Sequence, residues 1–296
     1  MKVFIQYPFQ QKAWGGGNQF IKTLHKEFES LGVACSNPAD ADVILFNSHQ
    51  QVRETIQLKQ SFPTKRFIHR VDGPMRLYNH KNDWRDLDVY SANQKIANAT
   101  VFQSRFSFES NRDMGMLINK PHTIIGNASD PSIFFEPEIK TERNKLRIVS
   151  TSFSSNKKKG FSTYKFLDEN LDFDKFEYTF VGNSPVTFKN IKSVGVKTSV
   201  ELADILRSSD IYITASQNDP CSNSLIEAVT CGLTCFALDS GGHPEIVTDP
   251  RLLFRDNITI LNSLNGYSLQ SYNTVKPRIN KVATDYLEFM KHDRNA

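Results

Sequence analysis

The chain has 296 residues, 39% hydrophobic and 23% charged, with a formal net charge of +4 at pH 7. That length favours two domains, each large enough to bury a core, in a protein of ordinary soluble composition. The charge is modest and Lys157-Lys158-Lys159 is the one extended basic run, so nucleic acid is not an expected partner, whereas an anionic membrane or substrate stays compatible.

No apolar run approaches the roughly 20 residues that cross a bilayer, and Met1-Lys2-Val3-Phe4-Ile5 is too short for a signal peptide. The expectation is a cytoplasmic protein, either free or peripheral at a membrane. Cys35, Cys221, Cys231 and Cys235 fall at neither zinc nor redox-motif spacings and read as buried thiols in a reducing compartment.

Val3 to Tyr7 reads as a buried strand, and Asn18 to Leu31 as an amphipathic helix with Phe20, Ile21, Leu24, Phe28 and Leu31 on one face. Between them, Gln10 to Gly17 forms a glycine-rich turn that lets backbone approach a ligand, or a tight turn on which Trp14 packs. It is not G-x-G-x-x-G, and no acidic strand end follows at ribose distance, which weighs against a nicotinamide dinucleotide. Strands are predicted over Val43 to Phe46 and Arg66 to Val71, with a helix from Gln50 to Gln60 between them. After the second strand, Gly73-Pro74 stops regular structure, so Asp72 projects from a strand's carboxyl edge, where ligands collect in parallel sheets. His69, inside the strand, reads as a hydrogen-bonded core histidine.

Ile96 to Phe108 gives a short strand with Ser104 as a helix N-cap. Strand-like His122 to Ile125 leads to the turn Asn127 to Asp130. Pro131, Pro137 and the polar run Glu136 to Arg143 then mark a linker. Domains are placed at 1–137 and 138–275, and residues 276–296 hold a final helix with Ile279, Val282, Ala283, Tyr286, Leu287 and Met290 on one face.

The second domain opens with a strand from Leu146 to Ser150, followed by Phe153 to Phe161 with the three lysines. Strands over Phe176 to Val181 and Ile191 to Val196 precede a helix from Val200 to Arg207. Next come a strand from Ile211 to Ala215, a loop with Asp219 and Pro220, a helix from Ser222 to Cys231, and Gly232 as its C-cap. Ser222, Asn223 and Ser224 open that helix, so unpaired N–H groups and the positive end of its dipole would welcome a phosphate. Glu227 lies about one turn further in, and the strand Thr234 to Leu238 runs into Ser240-Gly241-Gly242-His243-Pro244-Glu245. Alternating strands and helices without internal repeats argue for an α/β, doubly wound architecture.

The spacing of Asp219, Glu227, Gly232 and Gly241-Gly242-His243-Pro244-Glu245 resembles the donor site of family 4 glycosyltransferases, retaining enzymes of glycosyl transferases group 1. The resemblance implies a GT-B fold, two Rossmann-like domains facing across a cleft, with a short N-terminal acceptor-side domain, a C-terminal donor domain, and a last helix crossing back to the first. It implies transfer of a sugar from a nucleotide-sugar donor to a glycan, lipid-linked or small-molecule acceptor, with retention and without a metal or other cofactor.

By the same resemblance, Gly16 and Gly17 lie near the donor, Asp72 faces the transferred sugar or the acceptor hydroxyl, and Gly182 and Val196 lie near the base. Ser222, Asn223 and Ser224 bind phosphate, and Glu227 holds the ribose. Two departures stand out: Asp219 replaces the usual Glu, and Ser152-Phe153 replace Gly-Arg. Lys158, or its neighbour Lys159, is then expected to neutralise the leaving diphosphate, unless another cation such as Arg70 reaches in. The departures leave open a catalytically silent nucleotide-sugar-binding protein, and the fold leaves open a nucleotide-sugar epimerase.

Overall fold

The structure, a computed structural model, describes residues 1–10, 16–138, 144–268 and 276–292. The expected Trp14 contact, Gly15 of the glycine-rich turn and residues 139–143 of the linker lie outside them. The chain divides into two units. One contains Met1–Gln10, Asn18–Ala128 and the C-terminal segment from Arg278; the other contains Ser129–Pro277 together with Gly16 and Gly17.

In the first unit, β1 (Val3–Gln6), α1 (Gly16–Ser30), β2 (Val43–Asn47), α2 (Val52–Ser61), β3 (Arg66–Val71), α3 (Met75–Tyr78), α4 (Arg85–Ile96), β4 (Ala99–Phe102), α5 (Arg105–Asp113) and β5 (His122–Ile124) follow in order. The five strands are all parallel in the order β1-β2-β3-β4-β5. Ala34 bridges Val3 in parallel as well, which makes β1 the place where the winding reverses.

β2, an inner strand of the sheet, is buried on both faces and reads as a nearly unbroken apolar run. One face takes Val3, Ile5, Val43 and Leu45 against Phe20, Leu24 and Phe28 of α1; the other packs Ile44, Phe46 and Phe67 against Ala92 and Ile96 of α4. Ser104 caps α5 as expected, accepting from Ser107 N–H at 2.9 Å.

The second unit runs β6 (Leu146–Ser152), α6 (Phe161–Asn170), β7 (Phe176–Gly182), β8 (Lys192–Ser193), α7 (Ser199–Arg207), β9 (Ile211–Thr214), α8 (Asn223–Thr230), β10 (Thr234–Leu238), α9 (His243–Ile246), β11 (Leu253–Phe254) and α10 (Asn257–Asn265). Its parallel order, β11-β10-β9-β6-β7-β8, reverses between β6 and β9. Ligands gather at such a reversal, beyond the carboxyl ends of the strands.

Two expectations need correcting. Ser129–Pro137 count with the second unit, not the first: Phe134 lies in the second core, and Arg207 Nη1 donates to Ile133 O at 2.6 Å. The strand expected over Ile191 to Val196 shrinks to Lys192–Ser193 because Gly195 turns the chain away at φ +70°. Thr198 caps α7 in a capping box with Glu201.

The last helix, α11 (Ile279–His292), belongs to the first unit, where Ile279, Val282, Ala283, Tyr286 and Met290 complete the core of α1 and the sheet. All four cysteines are free thiols, and Cys221, Cys231 and Cys235 are buried.

Candidate functional site

The candidate site of the second unit lies where β6 and β9 end, at the reversal of the strand order. Three loops meet there through hydrogen bonds: Gln217 N donates to Lys158 O at 2.7 Å, Asn218 N to Ser240 Oγ at 3.0 Å, and Gly242 N to Asp219 O at 2.8 Å. Two glycines make the approach possible. A Cβ on Gly160, at φ +80°, would sit 2.3 Å from Ala215 O, and one on Gly241, at φ +64°, would sit 2.4 Å from Asp219 O. Asn218 itself takes φ +56°, an uncommon conformation for a residue with a side chain. Tyr164, fully buried, fixes the start of the loop by accepting from Ala215 N–H at 3.0 Å.

Asp219 is the hub. Its Oδ2 takes the Lys159 ammonium at 3.0 Å and its Oδ1 the Cys221 N–H at 3.3 Å. Burial pushes its carboxyl up, and Lys159 outweighs that and holds it below the usual range. Of the two candidate lysines, Lys159 therefore makes the ion pair, while Lys158 is anchored by its backbone, its N–H donating to Asn156 Oδ1 at 2.9 Å. Half-buried, the Lys158 ammonium has no partner among the described residues.

The next helix opens without a side-chain cap. Ser222 is the N-cap of α8 but its side chain makes no capping bond; Ser222 and Ser224 hydroxyls lie 3.3 Å apart. Asn223 and Ser224 occupy the first turn, half-buried. At the other end Gly232, at φ +79°, closes the helix: Leu233 N donates to Ala228 O at 3.2 Å and Gly232 N to Val229 O at 3.0 Å.

Glu227 is 8% exposed and no described residue bonds its carboxyl. Burial alone pushes that carboxyl up to about 8, so at neutral pH it is mostly the uncharged acid. A buried acid kept without a cation or donor is unusual for a protein interior.

The remaining expected residues on this side scatter around that centre. Gly182, at φ +116°, ends β7 so close to β6 that a Cβ would sit 1.9 Å from Ser152 O, and its N–H donates to Gly195 O at 2.8 Å. Val196 follows, 44% exposed. Gly16 and Gly17 are not in a turn but in the first turn of α1; a Cβ on Gly16 would meet Asn223 Cβ at 2.6 Å, whereas Gly17 has open space.

His243 was not singled out by the sequence for a role of its own. It is fully buried and donates Nδ1–H to Leu238 O at 2.9 Å, which leaves Nε2 an acceptor without a partner. Its position inside the Gly-Gly motif is the signal that could have found it. Among the described residues, no group of three or more His, Cys, Asp or Glu side chains is placed to hold a metal ion.

Asp72 and Arg70 belong to a different centre, at the carboxyl edge of the first unit's sheet. Arg70, fully buried, stacks over Phe20 at 4.7 Å and donates to Asn47 at 2.5 Å, Asp72 at 3.0 Å and Asn127 at 2.7 Å. It is thus committed within its own unit, and the expectation that it supplies the missing donor-side cation is corrected. Asp72 also accepts from Gln103 through Oδ1, and its backbone carbonyl takes Asn111 Nδ2 at 2.8 Å.

His69 is the core histidine the sequence suggested. It stacks on Phe46 at 4.2 Å, Nε2 donates to Ser48 O at 2.9 Å, and burial drives it down to about 3, so it stays neutral.

Residues 164–262 match the family model described as Glycosyl transferases group 1. No curated protein matches the chain. Among solved structures, sucrose-phosphate synthase from Thermosynechococcus elongatus superposes with a TM-score of 0.70 at 13% identity, covering 89% of this chain and 88% of that one. Anabaena HepE in complex with UDP-glucose follows at TM-score 0.66 and 12% identity, covering 99% and 97%. The trehalose-6-phosphate structure from E. coli bound with UDP-2-fluoro glucose gives 0.66 at 11%, covering 98% of each chain. The fold is therefore GT-B, and the group 1 glycosyltransferase match falls on the unit that carries Asp219 and Glu227.

Proposed function

We propose, for a chain of GT-B fold whose second unit matches the group 1 glycosyltransferases, that it transfers a sugar from a nucleoside-diphosphate sugar to an acceptor hydroxyl. The observation that carries this reading is the uncapped start of α8 beside the Lys159–Asp219 pair, with an unpartnered Glu227 one turn inside the same helix. A diphosphate at the helix start would meet the first-turn N–H groups and the dipole, and the Lys158 and Lys159 ammonium groups would balance the charge that grows on it as it leaves. Glu227, one turn further on, would then receive the ribose hydroxyls. UDP is the first nucleotide to try, since two of the structural neighbours were seen with UDP-sugars.

Retention and metal independence are part of the proposal. Neither donor-side carboxylate is prepared as a nucleophile: Asp219 is held by Lys159, and Glu227 is uncharged at neutral pH. That favours a reaction in which the leaving diphosphate and fixed protein dipoles do the electrostatic work, with two lysines where other enzymes place a cation. Asp72 would orient a hydroxyl of the acceptor or of the transferred sugar.

Incubation with a panel of nucleotide sugars, followed by anomer-resolved NMR of the products with and without chelator, tests the reading. Slow donor hydrolysis or transfer with retained configuration supports it. Binding without turnover would turn it into a nucleotide-sugar-binding protein, and interconversion of donor sugars into an epimerase.

A further inference from the structure

The loop after β2 spans four residues, Ser48 buried and the next three half-buried. Ser48 and Gln51, neither of them glycine, both take the left-handed conformation, at φ +44° and +50°. The loop is pinned on each side: Ser48 N donates to Arg70 O at 2.7 Å, and Ser48 O accepts from His69 Nε2 at 2.9 Å. Asn47 Nδ2 donates to Gln50 Oε1, and Gln6 Nε2 to Gln51 Oε1, both at 2.9 Å.

The one side chain this construction leaves unspent is His49. It is half-buried, its Nδ1 is enclosed without a partner, and no described residue hydrogen-bonds either ring nitrogen. Burial first, and then the charge of Arg85, hold the imidazole below its usual range, so at neutral pH it offers one donor and one acceptor.

The charged groups that act on His49 are Arg85 on one side and Asp72, Asp83 and Asp88 on the other. Arg85 is itself tied to Asp83, with Nε to Oδ1 at 2.8 Å. Asp72 has Oδ1 taken by Arg70 and Gln103, while its Oδ2 has no hydrogen-bond partner among the described residues. With Arg70 on Asp72 and Arg85 on Asp83, two cations face three carboxylates and one negative charge is left in excess, which disfavours an anion, whereas the imidazole and Asp72 Oδ2 match the donor and acceptor sides of hydroxyl groups.

We propose that His49, with Asp72, contacts the hydroxyls of the acceptor, and that the acceptor is an uncharged polyhydroxy compound, a sugar or glycoside, in preference to a phosphorylated one. This rests on the glycosyltransferase reading and names the acceptor class for it. The interaction is one of binding and orientation and asks no proton transfer of His49.

The test is NMR of the full-length protein with isotope-labelled histidine, in which the His49→Gln variant identifies the His49 signal among the seven histidines. Methyl glycosides of glucose, galactose, mannose and N-acetylglucosamine, and the matching sugar 6-phosphates, are titrated with and without UDP. The expected result is a saturable shift of the His49 signal with at least one neutral glycoside, and binding of its phosphate at least about tenfold weaker. No His49 shift with any neutral glycoside, or tighter binding of the phosphates, overturns the proposal. UDP affinity, measured by calorimetry on the same preparation, reports separately on the donor reading, so the two failures are told apart.

Discussion

The carboxyl edges of the two parallel sheets solve opposite problems. In the first unit, Arg70, Asn47, Asp72, Gln103 and Asn127 satisfy one another almost completely, a buried cation matched within its own sheet. In the second, α8 starts without a side-chain cap, and among the described residues Glu227 has no partner and His243 keeps an unused Nε2. A self-satisfied network holds its shape without help; an unsatisfied one is stabilised by what binds it. The first edge therefore reads as a frame around a few unspent groups, and the second as a receptacle.

Breaking the frame should cost the most. Arg70→Met leaves Asp72 without its cation and removes the donor that Arg70 gives to Asn47 Oδ1 and Asn127 Oδ1, and should lower stability by about 3 kcal/mol, the lower end for a broken buried pair because Asp72 is partly exposed. Thermal melting checks this; a loss below about 1 kcal/mol would mean that the network is decorative. Next in size is the donor-side cation. Lys159→Ala should reduce turnover by about a hundredfold, with a smaller effect from Lys158→Ala, since only Lys159 is already positioned on Asp219. Steady-state kinetics showing the reverse ranking would exchange the roles of the two lysines.

Gly241→Ala should act through geometry. Its Cβ would press on the Asp219 backbone at φ +64°, so the variant is expected to lose about 1–3 kcal/mol in stability and donor affinity with it. Differential scanning calorimetry with and without UDP separates the two losses.

A further expected effect is the most specific. Glu227 has its folded value raised, so the stability it contributes is fully present below its unfolded value near 4.5 and is lost as pH rises through about 8. The melting temperature should fall between those limits in the native protein, and Glu227→Gln should remove that part of the fall. A pH profile identical in both proteins would place the ionised carboxylate in the folded state already.

Much of the donor side was legible because its residues are contiguous. Asp219, Glu227, Gly232 and the Gly-Gly loop lie within one stretch, and each residue type announces its backbone need: Gly232 and Gly241 both adopt positive φ. The strands Val43–Asn47 and Thr234–Leu238 were equally plain, being largely apolar runs with buried interiors.

The first unit's edge was not legible in the same way. Arg70 looks like any surface cation until β2, β3, β4 and the turn after β5 bring Asn47, Asp72, Gln103 and Asn127 around it from four separate places in the chain. His49 carries no motif at all. Its interest comes from what its neighbours have already spent, which only the assembled loop displays.

The central claim is that the second unit holds a nucleoside diphosphate through α8 and Glu227, and calorimetric titration of UDP into the native protein and a folded Glu227→Ala variant tests it most directly. The account predicts saturable one-to-one binding that the substitution weakens by about 1.5–3 kcal/mol, roughly ten- to a hundredfold. Equal affinity in the two proteins, or no binding of UDP or any other nucleoside diphosphate to the native one, would contradict it.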